Sequence, residues 1–226
     1  MTRRPPRPVA VLAALLAASC RGVPFPDVEP ADDEGARAAL VADLLPPAVP
    51  AAMVQRWVVT DGHGELFFTL YVQVRPPGSM AIVALSDLGG TLASGTWTDG
   101  SVAIDRDSRA FPARIAKSVL LVLAPLFLPG PPAEYELVRF ADGTPAVRRA
   151  HGDAQVLRWR DGREKDVRIV AGQGGRTRCT VTVTAWGTSA GVRHPASLRS
   201  EDPAEGLRAT LDVVRFEPVA GEDAPR

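Results

Sequence analysis

The segment ARIAKSVLLVLAPLFLPG, residues 113–130, constrains the fold most, because it places apolar side chains nearly all round a helix. We predict a helix over 113–124 that ends before Pro125 and is too short to cross a bilayer. Such a helix must be covered on every side. Either a concave sheet wraps around it, so that it plugs a small barrel, or it is a lid over an acyl-chain pocket.

Most of the remaining chain alternates between apolar and polar residues, which predicts β-strands. We place them near 53–60, 65–75, 80–86, 91–98, 101–106, 134–141, 145–150, 155–160, 165–171, 177–186 and 207–217. Four Asp-Gly pairs, which favour tight hairpins, punctuate these strands at 61–62, 99–100, 142–143 and 161–162. A second helix is predicted within 32–47, capped by Asp32 or Asp33 and ended by Pro46. The pattern predicts an antiparallel meander.

One predicted strand has bulky apolar side chains on both faces. In ELFFTLYVQV, one face has Leu66, Phe68, Leu70, Val72 and Val74, and the other has Phe67 and Tyr71. A sheet with one solvated face does not require this. Either the strand lies in the middle of a two-layer structure, or one of its faces lines an apolar cavity.

The N-terminus has the features of a secretory signal. Arg3, Arg4 and Arg7 precede an apolar run over residues 9–18, and small residues lead to Cys20. The stretch resembles the lipobox of bacterial lipoproteins, which predicts a signal peptide over 1–19 and lipidation of Cys20 with diacylglycerol and a further acyl chain such as palmitate. An ordinary cleaved signal, with Cys20 incidental, is the alternative. The other cysteine, Cys179, is predicted to be a buried free thiol.

Lipidation would fix the location of the protein. By resemblance to the Gram-negative sorting rule, Arg21 directly after the cysteine implies a periplasm-facing protein anchored in the outer membrane. We divide the rest into a lipidated N-terminus and tether over 20–31, one domain over 32–218, and a disordered tail over 219–226. Loss of residues 1–19 leaves a net charge of about −3, which does not favour nucleic acid.

Enzymatic patterns are missing from the sequence. His63, His151 and His194 are predicted to stand in Gly- or Pro-flanked loops without metal-ligand spacing, and we expect them to be solvated. No nucleophile elbow and no phosphate-binding loop occurs, and GQGG at 172–175 is a flexible turn. We therefore predict a protein that is not an enzyme, without a metal site or cofactor.

Three segments resemble the lipoprotein-localisation carriers of the LolA/LolB type. They are MAIVALSDLGGTLASGTWTDGSVAID, the apolar helix ending LFLPG, and VTVTAWGTSAGVRHPASLRS followed by LRATLDVVRF. The resemblance implies an incomplete antiparallel β-barrel, strongly curved around a hydrophobic cavity and closed by helices. It also implies that Leu88, at the tip Asp87-Leu88-Gly89, contacts a membrane or ligand.

The resemblance implies a monomer that binds acyl chains of lipoproteins or lipids, received from a periplasmic LolA-like carrier, and transfers them to the membrane. Candidate cavity residues share an apolar face or the predicted helix: Trp57, Phe68, Leu70, Val72, Trp97, Leu120, Leu123, Phe127, Trp159 and Trp186. The alternative is a non-enzymatic scaffold or accessory lipoprotein of an outer-membrane complex. A large cavity with a mobile helix would favour the carrier, and a packed interior with an exposed apolar patch would favour the scaffold.

Overall fold

A computed structural model describes residues 23–46, 49–75, 77–151, 154–160 and 166–219. The predicted signal peptide, Cys20 and nearly all of the predicted tail lie outside these residues. The helices are α1, Glu34–Leu44, and α2, Ala113–Phe127, with a short 3-10 turn at Pro132–Glu134. The strands are β1 Glu29–Pro30, β2 Ala51–Asp61, β3 Gly64–Arg75, β4 Ser79–Leu85, β5 Thr91–Thr98, β6 Ser101–Arg106, β7 Glu136–Arg139, β8 Pro145–His151, β9 Ala154–Arg160, β10 Val167–Gln173, β11 Arg176–Ser189, β12 Val192–Asp202 and β13 Leu207–Pro218.

The strands of the described residues form one antiparallel sheet in the order β1-β7-β8-β9-β10-β11-β12-β13-β2-β3-β4-β5-β6. Two meanders, β2 to β6 and β7 to β13, are joined where β13 pairs with β2. Strands β1 and β6 form the two edges and are not paired with each other in the described part, so the sheet is curved but unclosed. This confirms the predicted incomplete antiparallel barrel.

Helix α2 lies in the concavity of this sheet, between β5 and β6 on one side and β10 to β12 on the other. Eleven of its fifteen residues are buried, as the lack of a polar face requires. Gly95 on β5 permits close packing, since a Cβ there would lie 2.8 Å from the Ala103 carbonyl oxygen and 3.5 Å from Leu120 Cδ1. The helix therefore fills the barrel, as in the first of the two interpretations.

The strand directions define two ends of the barrel. We call the end with the β2–β3, β4–β5, β10–β11 and β12–β13 turns and the start of α2 the upper end. Helix α1, capped by the Asp33 side chain, ends at the lower end, where Leu44 is fully buried. There Arg160 Nη2 donates to Asp43 Oδ1 at 2.6 Å, and Arg193 Nη1 donates to the Asp43 carbonyl at 2.9 Å. Helix α1 thus closes the lower end.

Residues 23–31 do not stand apart from the domain as the predicted tether would. The Thr177 amide donates to the Val23 carbonyl at 2.8 Å, and the Phe25 amide donates to the Gly175 carbonyl at 3.0 Å. The segment then pairs as β1 with β7. It covers apolar side chains on the convex face, which explains why it packs on the sheet, and it begins at the upper end.

The sequence pattern does not predict β12, because Pro195 interrupts its alternation. Proline has no N–H to donate, and it is tolerated at position 195 because only β11 is paired with the strand there. The pairing with β13 begins at Ser197. The expectation that the histidines are solvated is consequently wrong for His194, which is 6% exposed. Its ring stacks on Phe216 with a centroid distance of 4.1 Å.

The prediction that α2 ends before Pro125 is also wrong, because the helix continues to Phe127. Proline has no N–H to donate to the carbonyl of Leu121, four residues earlier. The Cys179 thiol donates to that carbonyl instead, with a sulfur–oxygen distance of 3.6 Å. A side chain of the sheet thus satisfies the group that the proline leaves open.

Replacing Leu120 by Ala should lower the free energy of unfolding by about 2–5 kcal/mol, because it leaves a cavity between α2 and the sheet. The same change at Leu88, which is 98% exposed, should alter it by no more than about 0.5 kcal/mol. Urea unfolding followed by tryptophan fluorescence measures both. Equal effects would contradict the placement of α2.

Candidate functional site

The candidate site is the interior of the barrel, in which α2 packs against the sheet. Nine of the ten predicted cavity residues belong to this one apolar cluster: Trp57, Phe68, Leu70, Val72, Trp97, Leu120, Leu123, Phe127 and Trp186. Trp159 lies on the convex face instead, in contact with Phe140 at a centroid distance of 5.0 Å. The reason is the strand alternation in β9, which turns Arg158 rather than Trp159 toward α2.

The two apolar faces of β3 differ strongly in their exposure to solvent. Phe68, Leu70, Val72 and Val74 are buried in the interior, whereas Phe67 and Tyr71 are 55% and 48% exposed on the convex face. Tyr71 is paired with Val83 of β4, which is also exposed. We call Phe67, Tyr71 and Val83 the convex patch. Neither sequence interpretation foresees it, because both place the second face of the strand under cover.

A buried arginine contacts the last turn of α2. The Arg158 side chain is 0% exposed, and its Nη2 donates to the Pro125 carbonyl oxygen. The helix dipole makes this end of α2 favourable for a cation. However, Nε and Nη1 of Arg158 have no hydrogen-bond partner among the described residues, which is costly for a buried charge. Sequence analysis missed this residue, although its place in the β9 alternation indicates that it faces inward.

The chain that follows α2 is held by further polar contacts. The Tyr135 hydroxyl donates to the Pro129 carbonyl at 2.6 Å, and Arg149 Nη1 donates to the same oxygen at 3.3 Å. Arg37 of α1 donates to the Tyr135 carbonyl at 3.1 Å. The end of α2 is therefore fastened both to the sheet and to α1.

The first half of α2 has one buried polar contact with the wall. Ser118 Oγ donates to Asp202 Oδ2 at 2.6 Å, and both residues are buried. Asp202 Oδ1 also accepts hydrogen bonds from the amides of Ala204 and Glu205. This contact joins α2 to the end of β12, and sequence analysis missed it together with the strand.

An ion pair joins the first turn of α2 to β2 at the upper end. Arg114 Nη2 lies 2.7 Å from Asp61 Oδ2. The hydrogen bond from the backbone amide of His63, and after it the contact with the Arg114 side chain, holds the pKa of Asp61 below its ordinary value.

Cys179, on β11, is an inert part of the core. Burial raises the pKa of its thiol to about 12.

The interior holds little free space. A cavity of about 20 Å³ lies between α2 and the wall formed by β2, β12 and β13, with Trp57, Val119 and Val122 in its lining. Such a space is close to that of a single water molecule and is far too small for an acyl chain. A larger cleft of about 300 Å³ opens at the upper end, between the β2–β3 hairpin and the start of α2.

Leu88 occupies the tip that the sequence predicts. The Ser86 amide donates to the Gly90 carbonyl at 2.9 Å, and the Gly89 amide donates to the Ser86 carbonyl at 2.8 Å. Gly89 has a φ of 79°, which favours glycine. The Leu88 side chain is 98% exposed at the upper end of the barrel.

The described residues contain no group of three or more His, Cys, Asp or Glu side chains placed to hold a metal ion. Of the helices in the same ranges, none combines the length and apolarity needed to span a bilayer. The polar groups of the interior, chiefly Arg158, Ser118 and Asp202, fasten one helix. Their arrangement holds α2 in place.

No protein-family model and no curated protein matches the sequence. Among solved structures, a LolA superfamily protein from Nitrosomonas europaea is similar to this chain with a TM-score of 0.52 and 11% identity. The match covers 85% of this chain and 96% of that protein. A DUF1329 family protein from Desulfovibrio piger has a TM-score of 0.46, 13% identity and coverage of 84% of this chain and 95% of its own. An outer membrane lipoprotein-sorting protein domain from Vibrio parahaemolyticus has a TM-score of 0.46, 6% identity and coverage of 83% and 93%. The unclosed sheet curled around α2, with the first of these likenesses, shows that this chain has the fold of the LolA superfamily.

Proposed function

We propose that this protein binds acyl chains of lipoproteins or lipids inside the barrel, in the space that α2 fills, and passes them to a membrane. The observation that most supports this is the way α2 is held. It is apolar nearly all round from Ser118 onward, yet buried polar contacts, Ser118 with Asp202 and Arg158 with Pro125, fasten it to the sheet. No catalytic step and no cofactor is part of the proposal.

The sheet does not depend on α2 for its backbone hydrogen bonds. In the described residues, the strands pair with one another throughout, and no backbone hydrogen bond joins α2 to a strand. The helix can therefore move without breaking the ladder of the sheet. An acyl chain that takes its place recovers about 0.8 kcal/mol for each buried methylene group, which offsets the contacts that the helix loses.

The interior as it stands is closed, since its cavity of about 20 Å³ is too small for an acyl chain. Binding must therefore displace α2. Two nitrogens of Arg158 find no hydrogen-bond partner in the part of the chain that the structure describes, which makes the closed state less stable than a fully satisfied core would be. Closed and open arrangements can then lie close in free energy, as a carrier that loads and unloads requires.

The location belongs to the same proposal. Lipidation of Cys20 would anchor the protein to the outer membrane, facing the periplasm, where a LolA-like carrier would deliver an acylated lipoprotein to it. The exposed Leu88 would contact the membrane or the cargo. The ligand site is formed by the nine interior candidates, without Trp159, which lies on the convex face.

Replacing Ser118 by Ala should increase lipid binding. The change removes the hydrogen bond to the Asp202 carboxylate, and such charge-assisted bonds contribute about 1.5–3 kcal/mol. The open population should therefore rise about tenfold or more. The measurement is native mass spectrometry of the full-length chain carrying Cys20→Ser, after incubation with vesicles of palmitoyl-containing phosphatidylethanolamine.

The chain offers a matched control. Ser197 Oγ donates to Asp212 Oδ1 at 2.5 Å, between β12 and β13 and away from α2, so Ser197→Ala should leave lipid binding unchanged. Lipid adducts should appear on the parent and increase only with Ser118→Ala. A parent protein that stays bare under these conditions contradicts the proposed function, and equal effects of the two changes contradict the role of α2.

A second candidate function is that of a scaffold or accessory lipoprotein, which the packed interior and the convex patch favour. Single exposed apolar residues are common, but Tyr71 is paired with Val83 on the neighbouring strand, and Phe67 lies four residues before Tyr71 on the same face of β3. In this case the interior would stay closed, and the patch would contact another protein of the envelope.

A photo-crosslinking amino acid at Tyr71 distinguishes this second function in intact cells. The scaffold predicts one discrete, heavier adduct, because Tyr71 would lie in the interface. The same amino acid at Arg208, exposed on β13, is the control and should give none. The scaffold role is contradicted if irradiation yields no adduct at Tyr71, or the same set of adducts at both positions.

A further inference from the structure

The cleft at the upper end has the character of an amphipathic opening. Its rim consists of polar and charged side chains, Asp61, His63, Glu65, Arg109 and Arg114. Its floor consists of Val59, Leu66 and Ile115. An acyl chain with a polar head group needs this combination, with apolar surface below and polar groups of both signs above.

The cleft adjoins the interior. Val59 and Ile115 line both the cleft and the small cavity, so these two side chains lie between the two spaces, at β2 and the first turn of α2. From there the cavity lining continues inward through Trp57, Val119 and Val122. These side chains follow one face of α2 along the wall, which is the direction an entering chain would take.

The Asp61–Arg114 ion pair lies on the rim of this opening. The pair connects the end of β2 to α2, and the Asp61 side chain is 16% exposed while that of Arg114 is 38% exposed. Solvent reaches the Arg114 side of this pair and screens it, so a polar head group can replace one partner. The opposite end offers no comparable route in the described residues, because α1 and its contacts through Asp43 close it.

The upper end is also the end at which residue 23 lies. The chain from Cys20 to Val23 spans at most about 11 Å when fully extended. Lipidation of Cys20 would hold the β10–β11 turn, and with it the upper end, near the bilayer surface. The cleft and the exposed Leu88 would then face the membrane together.

We propose that an acyl chain enters the barrel through this cleft, passing between Val59 and Ile115, while its polar head group rests among Asp61, Arg109 and Arg114. This inference rests on the proposed function and adds the route and the head-group site to it. The head group displaces Arg114 from Asp61, and the chain separates α2 from β2 beginning at its first turn. The acyl chain of a membrane lipid and that of a lipoprotein share the chemistry required.

Photo-labelling tests the route in the full-length chain carrying Cys20→Ser. Two probes have a diazirine in a palmitoyl chain: a phosphatidylethanolamine, which represents membrane lipid, and a synthetic diacylated lipopeptide, which represents lipoprotein. We expect labels in residues 57–59 of β2 and 115–122 of α2. The probe that labels more efficiently identifies the source of the chain.

Two changes close the opening. Val59→Trp fills the passage and should reduce labelling at least tenfold, whereas Val58→Trp, one residue along on the convex face, should leave it unchanged. Because a tryptophan at position 59 can impair folding, a second variant replaces Asp61 and Arg114 by Cys and bridges them with a short bis-methanethiosulfonate. Bridging should lower labelling at least tenfold below that of the same variant after reduction, which is the matched reference, and the buried Cys179 does not react.

The outcomes separate the two proposals. A parent protein that neither probe labels contradicts acyl-chain binding, and with it the route. A labelled parent whose labelling survives both Val59→Trp and the bridge overturns the route and leaves acyl-chain binding in place. Labels that concentrate on the lower end, near Asp43 and Arg193, overturn the route in the same way.

Discussion

From Ser118 onward helix α2 has no polar face, and the need to cover this part on every side determines the rest of the structure. A flat sheet covers one side of a helix, so the strands must curl until they meet α2 from both directions, with β5 and β6 opposite β10 to β12. The pairing of β13 with β2 makes this possible, because it joins two meanders into one continuous wall. Under the proposed function, the same apolar surface that demands cover would attract acyl chains.

Apolar packing is not directional, so it does not by itself fix how α2 lies in the barrel. Polar contacts supply that direction: Ser118 with Asp202, the Cys179 thiol with the Leu121 carbonyl, and Arg158 with the Pro125 carbonyl. They hold the helix without joining it to the backbone of the sheet. Because two nitrogens of Arg158 have no hydrogen-bond partner within residues 23–46, 49–75, 77–151, 154–160 and 166–219, the closed arrangement is not a fully satisfied core there. A core helix that can leave its place is consistent with these features.

The alternation of residues and the Asp-Gly pairs predict the sheet, because a strand with a buried face requires period two. They do not predict β12, since Pro195 is acceptable there only because of where the pairing with β13 begins. The extension of α2 past Pro125 depends on Cys179, which is distant in sequence. The alternation in β9 places Arg158 inward and Trp159 on the convex face. Trp159 is nevertheless the predicted inward residue, because its side chain is large and apolar. Local patterns thus give the elements and most interior residues, whereas contacts between distant segments decide the rest.

The central claim is that an acyl chain takes the place of α2 inside the barrel. Amide hydrogen exchange of the full-length chain carrying Cys20→Ser, with and without bound palmitoyl-containing phosphatidylethanolamine, tests it most directly. The account predicts faster exchange across residues 113–127 in the lipid-bound protein, while the amides of β2 and β11 keep their protection. Unchanged or slower exchange in α2, in protein shown by mass to have bound lipid, would contradict the account.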